Sequence, residues 1–107
     1  MASPITSMCV YQVRTGVESD FEELLRKHWP TLHQLELVTD KQSTAYRGKN
    51  DDGTSFFVEF IEWINAGAPE TAHQLAEVAA IWEVMETLCE ARNGKPALEF
   101  PTVEYIV

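Results

Sequence analysis

Hydrophobic positions alternate in some stretches of the chain and recur at three and four in others, and each change of period marks an element boundary. Met8-Cys9-Val10-Tyr11-Gln12-Val13-Arg14 is rich in β-branched and aromatic side chains and reads as a strand that Gly16 closes. Ser19-Asp20-Phe21-Glu22 then fits a capping box, with Ser19 accepting from the amide three residues on and Glu22 reaching back to the cap. Phe21, Leu24, Leu25, His28, Leu32 and Leu35 form the apolar stripe of a helix ending near Leu37. Pro30 removes a donor inside that helix and crowds the carbonyl of Arg26, which predicts a kink or two pieces meeting at His28-Trp29-Pro30. Gln42 to Lys49 and Thr54 to Ile64 read as strands of a hairpin around the turn Asn50-Asp51-Asp52-Gly53. Asn65 to Pro69 breaks the pattern, and Pro69 suits the first turn of a second helix running to about Arg92, with Asn93-Gly94 as its stop. Ala97 to Val107 is the last strand, in which Pro101 predicts an edge position or a bulge.

The order strand, helix, strand, strand, helix, strand predicts one α+β domain over residues 1–107, a ferredoxin-like βαββαβ fold with an antiparallel sheet. Right-handed crossovers put both helices on one face. In the third strand, Phe56, Val58, Phe60 and Ile64 alternate with Phe57, Ile61 and Trp63, so both faces of the sheet need cover. A second copy packed sheet to sheet, a homodimer, is the simplest cover for the face without helices.

Composition narrows the partners. Seventeen acids against eight bases give a formal charge of -9, a field that repels phosphate backbones and anionic lipid, so neither nucleic acid nor membrane is expected. Hydrophobic residues at 45% supply a core. The N-terminal residues lack a signal-peptide pattern and no apolar run approaches a membrane span, which makes a cytoplasmic location the expectation. Cys9 and Cys89 stand far apart and read as free buried thiols. His28, His33 and His73 lie five and forty residues apart, and no metal site is expected from such spacing.

Val10-Tyr11-Gln12-Val13 leading to Phe21-Glu22-Glu23-Leu24-Leu25, the strand Phe57-Val58-Glu59-Phe60-Ile61-Glu62-Trp63, and Ala72-His73 early in the next helix resemble the antibiotic biosynthesis monooxygenase family. The resemblance covers nearly the whole chain and implies a dimeric α/β barrel. Enzymes of that family oxidise polycyclic phenols with molecular oxygen and no cofactor, in a cavity between sheet and helices. Trp63 and His73 stand ten apart, the spacing of the Trp and His in the haem-degrading branch. There both lie in the second helical region, whereas Trp63 ends a strand here, and no Asn occurs among Met8 to Arg14, so the resemblance does not extend to haem.

The candidate site follows from ionisable groups set among apolar ones. His28, on the stripe of the first helix, suits a general base or a hydrogen bond to a phenolic ligand; the alternative is a core histidine satisfied by a backbone carbonyl or by Glu59. Glu59 shares a face with Phe57, Ile61 and Trp63, where burial favours a pocket role or a paired structural carboxylate, and Glu62 points the other way with the same ambiguity. His73 is solvated if the second helix is continuous, and turns to the mouth of the cavity if it breaks near Gln74 to Ala76. Tyr46, Trp63, Trp82 and Met85 offer walls to an aromatic or hydrophobic ligand, or are plain core. Arg47 could steer an anion or hold a surface ion pair. What the family resemblance implies is a cofactor-independent monooxygenase-like protein, with no cofactor, acting on a small aromatic or polyketide-type molecule, with His28, Glu59 and His73 as catalytic candidates; the alternative is a non-catalytic small-metabolite-binding or scaffold dimer.

Overall fold

The third strand is where the alternation of the sequence becomes geometry. In the computed structural model, which describes residues 3–107, Ser55, Phe57, Glu59, Ile61 and Trp63 are all buried and the residues between them all half-buried. A strand that shows such strict alternation has one face on the core and one face on something less complete.

The described residues form β1 (Ile5–Gln12), α1 (Glu18–Gln34), β2 (Thr44–Lys49), β3 (Ser55–Trp63), α2 (Ala68–His73), α3 (Ala76–Thr87), β4 (Leu98–Glu99) and β5 (Thr102–Val103). All strand pairs are antiparallel, in the order β2-β3-β1-β4 with β5 also on β1, and this is the ferredoxin-like α+β arrangement. The helices cover the face carrying Cys9, Tyr11, Phe57, Ile61 and Trp63, where Phe21 of α1 places its ring 4.8 Å from that of Tyr11 and 5.3 Å from that of Phe57. None of the helices is long and apolar enough to cross a membrane among the described residues.

Several boundaries differ from the reading of the sequence, each for a physical reason. The first strand starts at Ile5 and ends at Gln12 rather than running from Met8 to Arg14. The helix after it begins at Glu18 behind Val17, and the Ser19 capping box does not form; instead Glu18 Oε1 accepts the amide of Gly16 at 2.8 Å. Pro30 does not divide α1, which is helical from Glu18 to Gln34; its side chain sits on the exposed face, clear of the core. α1 closes with Glu36 at φ 60°, the Leu37 amide on the Leu32 carbonyl and the Glu36 amide on that of His33, a Schellman stop made without glycine.

The second helix is two helices. α2 ends at His73, Leu75 takes an extended conformation, and α3 ends at Thr87, not at Arg92. Asn93-Gly94, expected as a helix stop, is a tight turn: both residues have positive φ, and Arg92 and Lys95 exchange amide-to-carbonyl bonds across it. The last strand is interrupted. Val10 facing Glu99 and Thr6 facing Val103 keep one register, so Pro101, which has no amide to give, breaks the ladder without adding a residue, and pairing ends at Val103 rather than Val107.

Candidate active site

The requirement that builds the site is a buried acid. Glu59 is 1% exposed in the middle of β3, flanked on its own face by Phe57 and Ile61, and a carboxylate in such a place needs donors. Two reach it: the Tyr11 hydroxyl donates to Oε1 at 2.9 Å from β1, and His28 Nδ1 lies 2.9 Å from the same oxygen from α1. The other ring nitrogen fixes the proton. Trp82 Nε1, which can only donate, lies 2.8 Å from His28 Nε2, so Nε2 is the acceptor and the imidazole carries its hydrogen on Nδ1, aimed at Glu59. The result is a chain of four side chains, Tyr11 to Glu59, His28 to Glu59 and Trp82 to His28, drawn from β1, β3, α1 and α3.

The charge in this chain reshapes its neighbours. Tyr11 is raised well above its ordinary 10.0, first by burial and then by the facing Glu59 carboxylate. Cys9, opposite Glu59 across the β1–β3 ladder, is pushed up to about 12 by burial and by the same carboxylate. Burial alone drives Cys89 up to about 12 against two nearby arginines. Neither thiol is a nucleophile at neutral pH.

A cavity of about 250 Å³ lies in front of His28. Its walls come from Ile5, Ser7 and Cys9 of β1, Ile61 and Trp63 of β3, Phe100 and Thr102 of the last strand, and Pro69, His73 and Trp82 of the helices. Among the described residues, no Lys, Arg, Asp or Glu lines it. Trp63 is anchored by an Nε1–H bond to Ser7 Oγ at 3.1 Å, which fixes its ring as a flat wall. His73 is exposed, and after the α2–α3 break at Gln74 and Leu75 its ring centroid lies 4.5 Å from that of Trp82 in a T-shaped contact, at the rim of the cavity.

The structure therefore brings together His28, His73, Trp63 and Trp82. Glu59 does not reach the cavity and stands behind His28. Met85 is 2% exposed and lines a second space of about 120 Å³, with Tyr11, Trp82, Glu86 and Leu98. Tyr46 is a correction: it pairs with Val58, so it projects from the opposite face of the sheet, 63% exposed, and cannot wall this cavity. Arg47 lies on the helix side of β2, 5.7 Å from the Phe57 ring and 3.9 Å from Glu18, the surface role. Glu62 accepts from Thr39 Oγ1 at 2.8 Å on the open side. His33 pairs with Asp40 at 2.9 Å at the surface and stacks on Trp29. Tyr11, Ser7, Cys9 and Phe100 were missed from the sequence. Tyr11 had a readable signal, being a hydroxyl-bearing strand residue available to a buried acid.

No family model matches this sequence, and no curated protein matches it either. Solved structures do match. SnoaB, a cofactor-independent oxygenase from Streptomyces nogalater, superposes with a TM-score of 0.71 at 14% identity, over 97% of this chain and 94% of its own. A Bordetella bronchiseptica protein assigned as an antibiotic biosynthesis monooxygenase gives 0.72 at 10% identity, over 98% and 99%. A conserved protein of unknown function from Bacteroides thetaiotaomicron gives 0.73 at 13% identity, over 98% and 100%. At these identities the likeness is one of fold. End to end, the chain has the fold of the antibiotic biosynthesis monooxygenases.

Proposed function

We propose that this chain is a cofactor-independent monooxygenase-like protein that takes a small aromatic or polyketide-type molecule into the cavity at His28. The observation that carries the reading is a neutral imidazole with Nδ1–H on a buried carboxylate and the Nε2 lone pair beside an apolar, uncharged space. Nε2 accepts the proton of a phenolic hydroxyl, and the imidazolium so formed is stabilised by Glu59 at 2.9 Å, where little water competes. Glu59 is thus a positioning residue, held in turn by Tyr11. The phenolate is electron-rich and reacts with molecular oxygen at a ring CH2 carbon; that carbon loses two hydrogens and gains one oxygen as a carbonyl, and the second oxygen leaves as water. The substrate supplies all the electrons. Trp63 holds the ring of the substrate and His73 stands at the rim.

Oxygen uptake with a panel of quinols and anthrones tests this. The expected result is uptake with at least one of them and a fall of roughly 100-fold or more in His28→Ala, the usual worth of a general base. A second reading, a non-catalytic small-metabolite-binding or scaffold dimer, draws support from one specific observation: in the resting structure the Nε2 lone pair is already bonded to Trp82. Silence from the whole panel favours it.

Both readings use a homodimer. On the face without helices, Met8, Val10, Val58, Phe60 and Val103 are half-buried, Tyr46 is exposed, and Tyr105, Ile106 and Val107 are 88%, 75% and 94% exposed. Burying large apolar side chains is worth about 1.5 to 3 kcal/mol each, which favours closing two such faces into a barrel. Light scattering is expected to give twice 12.1 kDa, and a single-chain mass at micromolar concentration would overturn the dimer.

A further inference from the structure

The space in front of His28 is too small for the ligand its walls suit, and one side chain accounts for both the shortfall and the occupied imidazole. Ligand pockets usually measure roughly 300 to 1,000 Å³. Here a space of about 250 Å³ and another of about 120 Å³ share Trp82, His73 and Phe100 in their linings. Of the three only Trp82 also bonds His28, which makes its indole the partition that a ligand at Nε2 would displace. Its hold on His28 is a single bond of 2.8 Å from a group that can only donate, which is what a ligand hydroxyl would offer to the same lone pair.

The partition is also the less rooted member of the pair. His28 is 2% exposed and tied to Glu59, whereas Trp82 is only partly buried. α3, which carries it, starts after an extended Leu75 with no side-chain cap, and the ring leans edge-on against exposed His73. Moving the indole breaks one hydrogen bond and leaves the buried acid with both of its donors.

We propose that the Trp82 indole N–H is a stand-in for the ligand: a planar molecule bearing a hydroxyl donor displaces it from His28 Nε2, and its departure joins the two spaces into one. Trp82 is then a specificity-determining residue. The exchange costs nothing in hydrogen bonds when the newcomer donates, and loses one when it does not. Because Nε2 presents a lone pair and no Lys or Arg among the described residues lines the cavity, carboxylates and ethers are disfavoured at that point. The inference rests on the reading of the cavity as a ligand site and is independent of whether oxygen reacts there.

The test compares the full-length wild type with Trp82→Phe, which keeps an aromatic ring and removes the N–H, using 1-naphthol and 1-methoxynaphthalene as probes. In wild type labelled with ¹⁵N, the Trp82 indole resonance, identified by its loss in the variant, is expected to leave its hydrogen-bonded position on saturation with 1-naphthol, and its N–H to exchange faster with solvent, while the Trp63 N–H, bonded to Ser7, keeps its protection from exchange. The naphthol is expected to bind more tightly than its methyl ether, and Trp82→Phe to bind both roughly three- to tenfold more tightly than wild type, one hydrogen bond no longer having to be broken. A side chain that merely packs on the ligand gives the opposite sign, weaker binding in the variant. Binding that leaves the Trp82 resonance in place, or that weakens or stays unchanged in Trp82→Phe, overturns the stand-in and leaves the ligand site intact. Failure of both probes to bind either protein overturns the two together. If Trp82→Phe does not fold, the wild-type resonance, assigned through the backbone, decides alone.

Discussion

The two faces of the sheet are made of nearly the same kinds of side chain and serve different ends. On the helix side Cys9, Tyr11, Phe57, Glu59, Ile61 and Trp63 are at most 4% exposed, and among them sits a polar chain that includes a carboxylate. On the other side Met8, Val10, Val58 and Phe60 stay half-buried, and their neighbours at mid-sheet are equally apolar. The open face keeps its carboxylates to the margins, Glu62 near the end of β3 on Thr39 Oγ1 and exposed Glu99 on the short β4, whereas on the covered face Glu59 sits at mid-sheet because Tyr11 and His28 arrive with the fold.

The strongest way to break that contrast is to leave the donors without their acceptor. Glu59→Ala is expected to cost about 3 to 5 kcal/mol in urea unfolding, since it strands the buried Tyr11 hydroxyl and the buried His28 N–H without their acceptor. Glu59→Gln retains an acceptor at the same place and is expected to cost less than half as much. Equal losses for the two would mean that the chain of hydrogen bonds contributes little and that shape alone matters.

Putting a charge on the other face inverts the experiment. Phe60→Glu sets a carboxylate at mid-sheet opposite Met8, and in a symmetric dimer it appears twice. About 3 kcal/mol or more is expected from association and little from the folded monomer, so that light scattering reports one chain at micromolar concentration while circular dichroism is unchanged. A variant that keeps the wild-type mass would show that the open face is not the interface.

Alkali separates the faces without a mutation. Cys9 and Tyr11, both on the covered face, have folded-state values above their ordinary 9.0 and 10.0, Cys9 at about 12. Between the ordinary and the raised value the unfolded chain loses protons that the folded chain keeps. Their contribution is therefore fully present below pH 9 and is lost as pH climbs, at about 1.4 kcal/mol per pH unit for each group that has begun to titrate in the unfolded state. Unfolding free energy is expected to stay flat up to about pH 9 and then fall, with a shallower fall in Cys9→Ala and in Tyr11→Phe measured against their own values at pH 8. Met8, Val10, Val58 and Phe60 on the open face do not titrate, so variants there should shift the whole curve and leave its slope alone.

How much of this could be read from the sequence depends on whether a feature is local. The alternation from Ser55 to Trp63 and the stripe from Phe21 to Leu32 name the strands, the first helix and the covered face, and His28 and Glu59 stand out as ionisable groups on apolar faces. Tyr46 was misplaced because a strand's face is decided by its pairing: the turn at Asn50 to Gly53 sets Lys49 opposite Ser55, which carries Tyr46 to Val58 and not to Phe57. The break at Gln74 and Leu75 has neither glycine nor proline to announce it, and it decides that His73 faces Trp82. The tie between Trp82 and His28 joins residues 54 apart and exists only once both helices have docked on the sheet.

The smallest expected effect sharpens the comparison on the open face. A Cβ added at Gly48 would lie 2.4 Å from the Phe56 ring, which lies across the glycine from the neighbouring strand. Gly48→Ala therefore displaces an aromatic side chain rather than backbone, and the ring can turn toward the side that carries no helix. The expected cost is about 1 kcal/mol in unfolding, the low end of overpacking, because the space to relax exists only on that face. Phe56→Ala removes the obstacle, so in the double variant the alanine at 48 should cost nothing further, and a double-mutant cycle reads the difference directly. If Gly48→Ala costs 3 kcal/mol or more, the Phe56 ring has nowhere to go, and the open face is packed as tightly as the covered one.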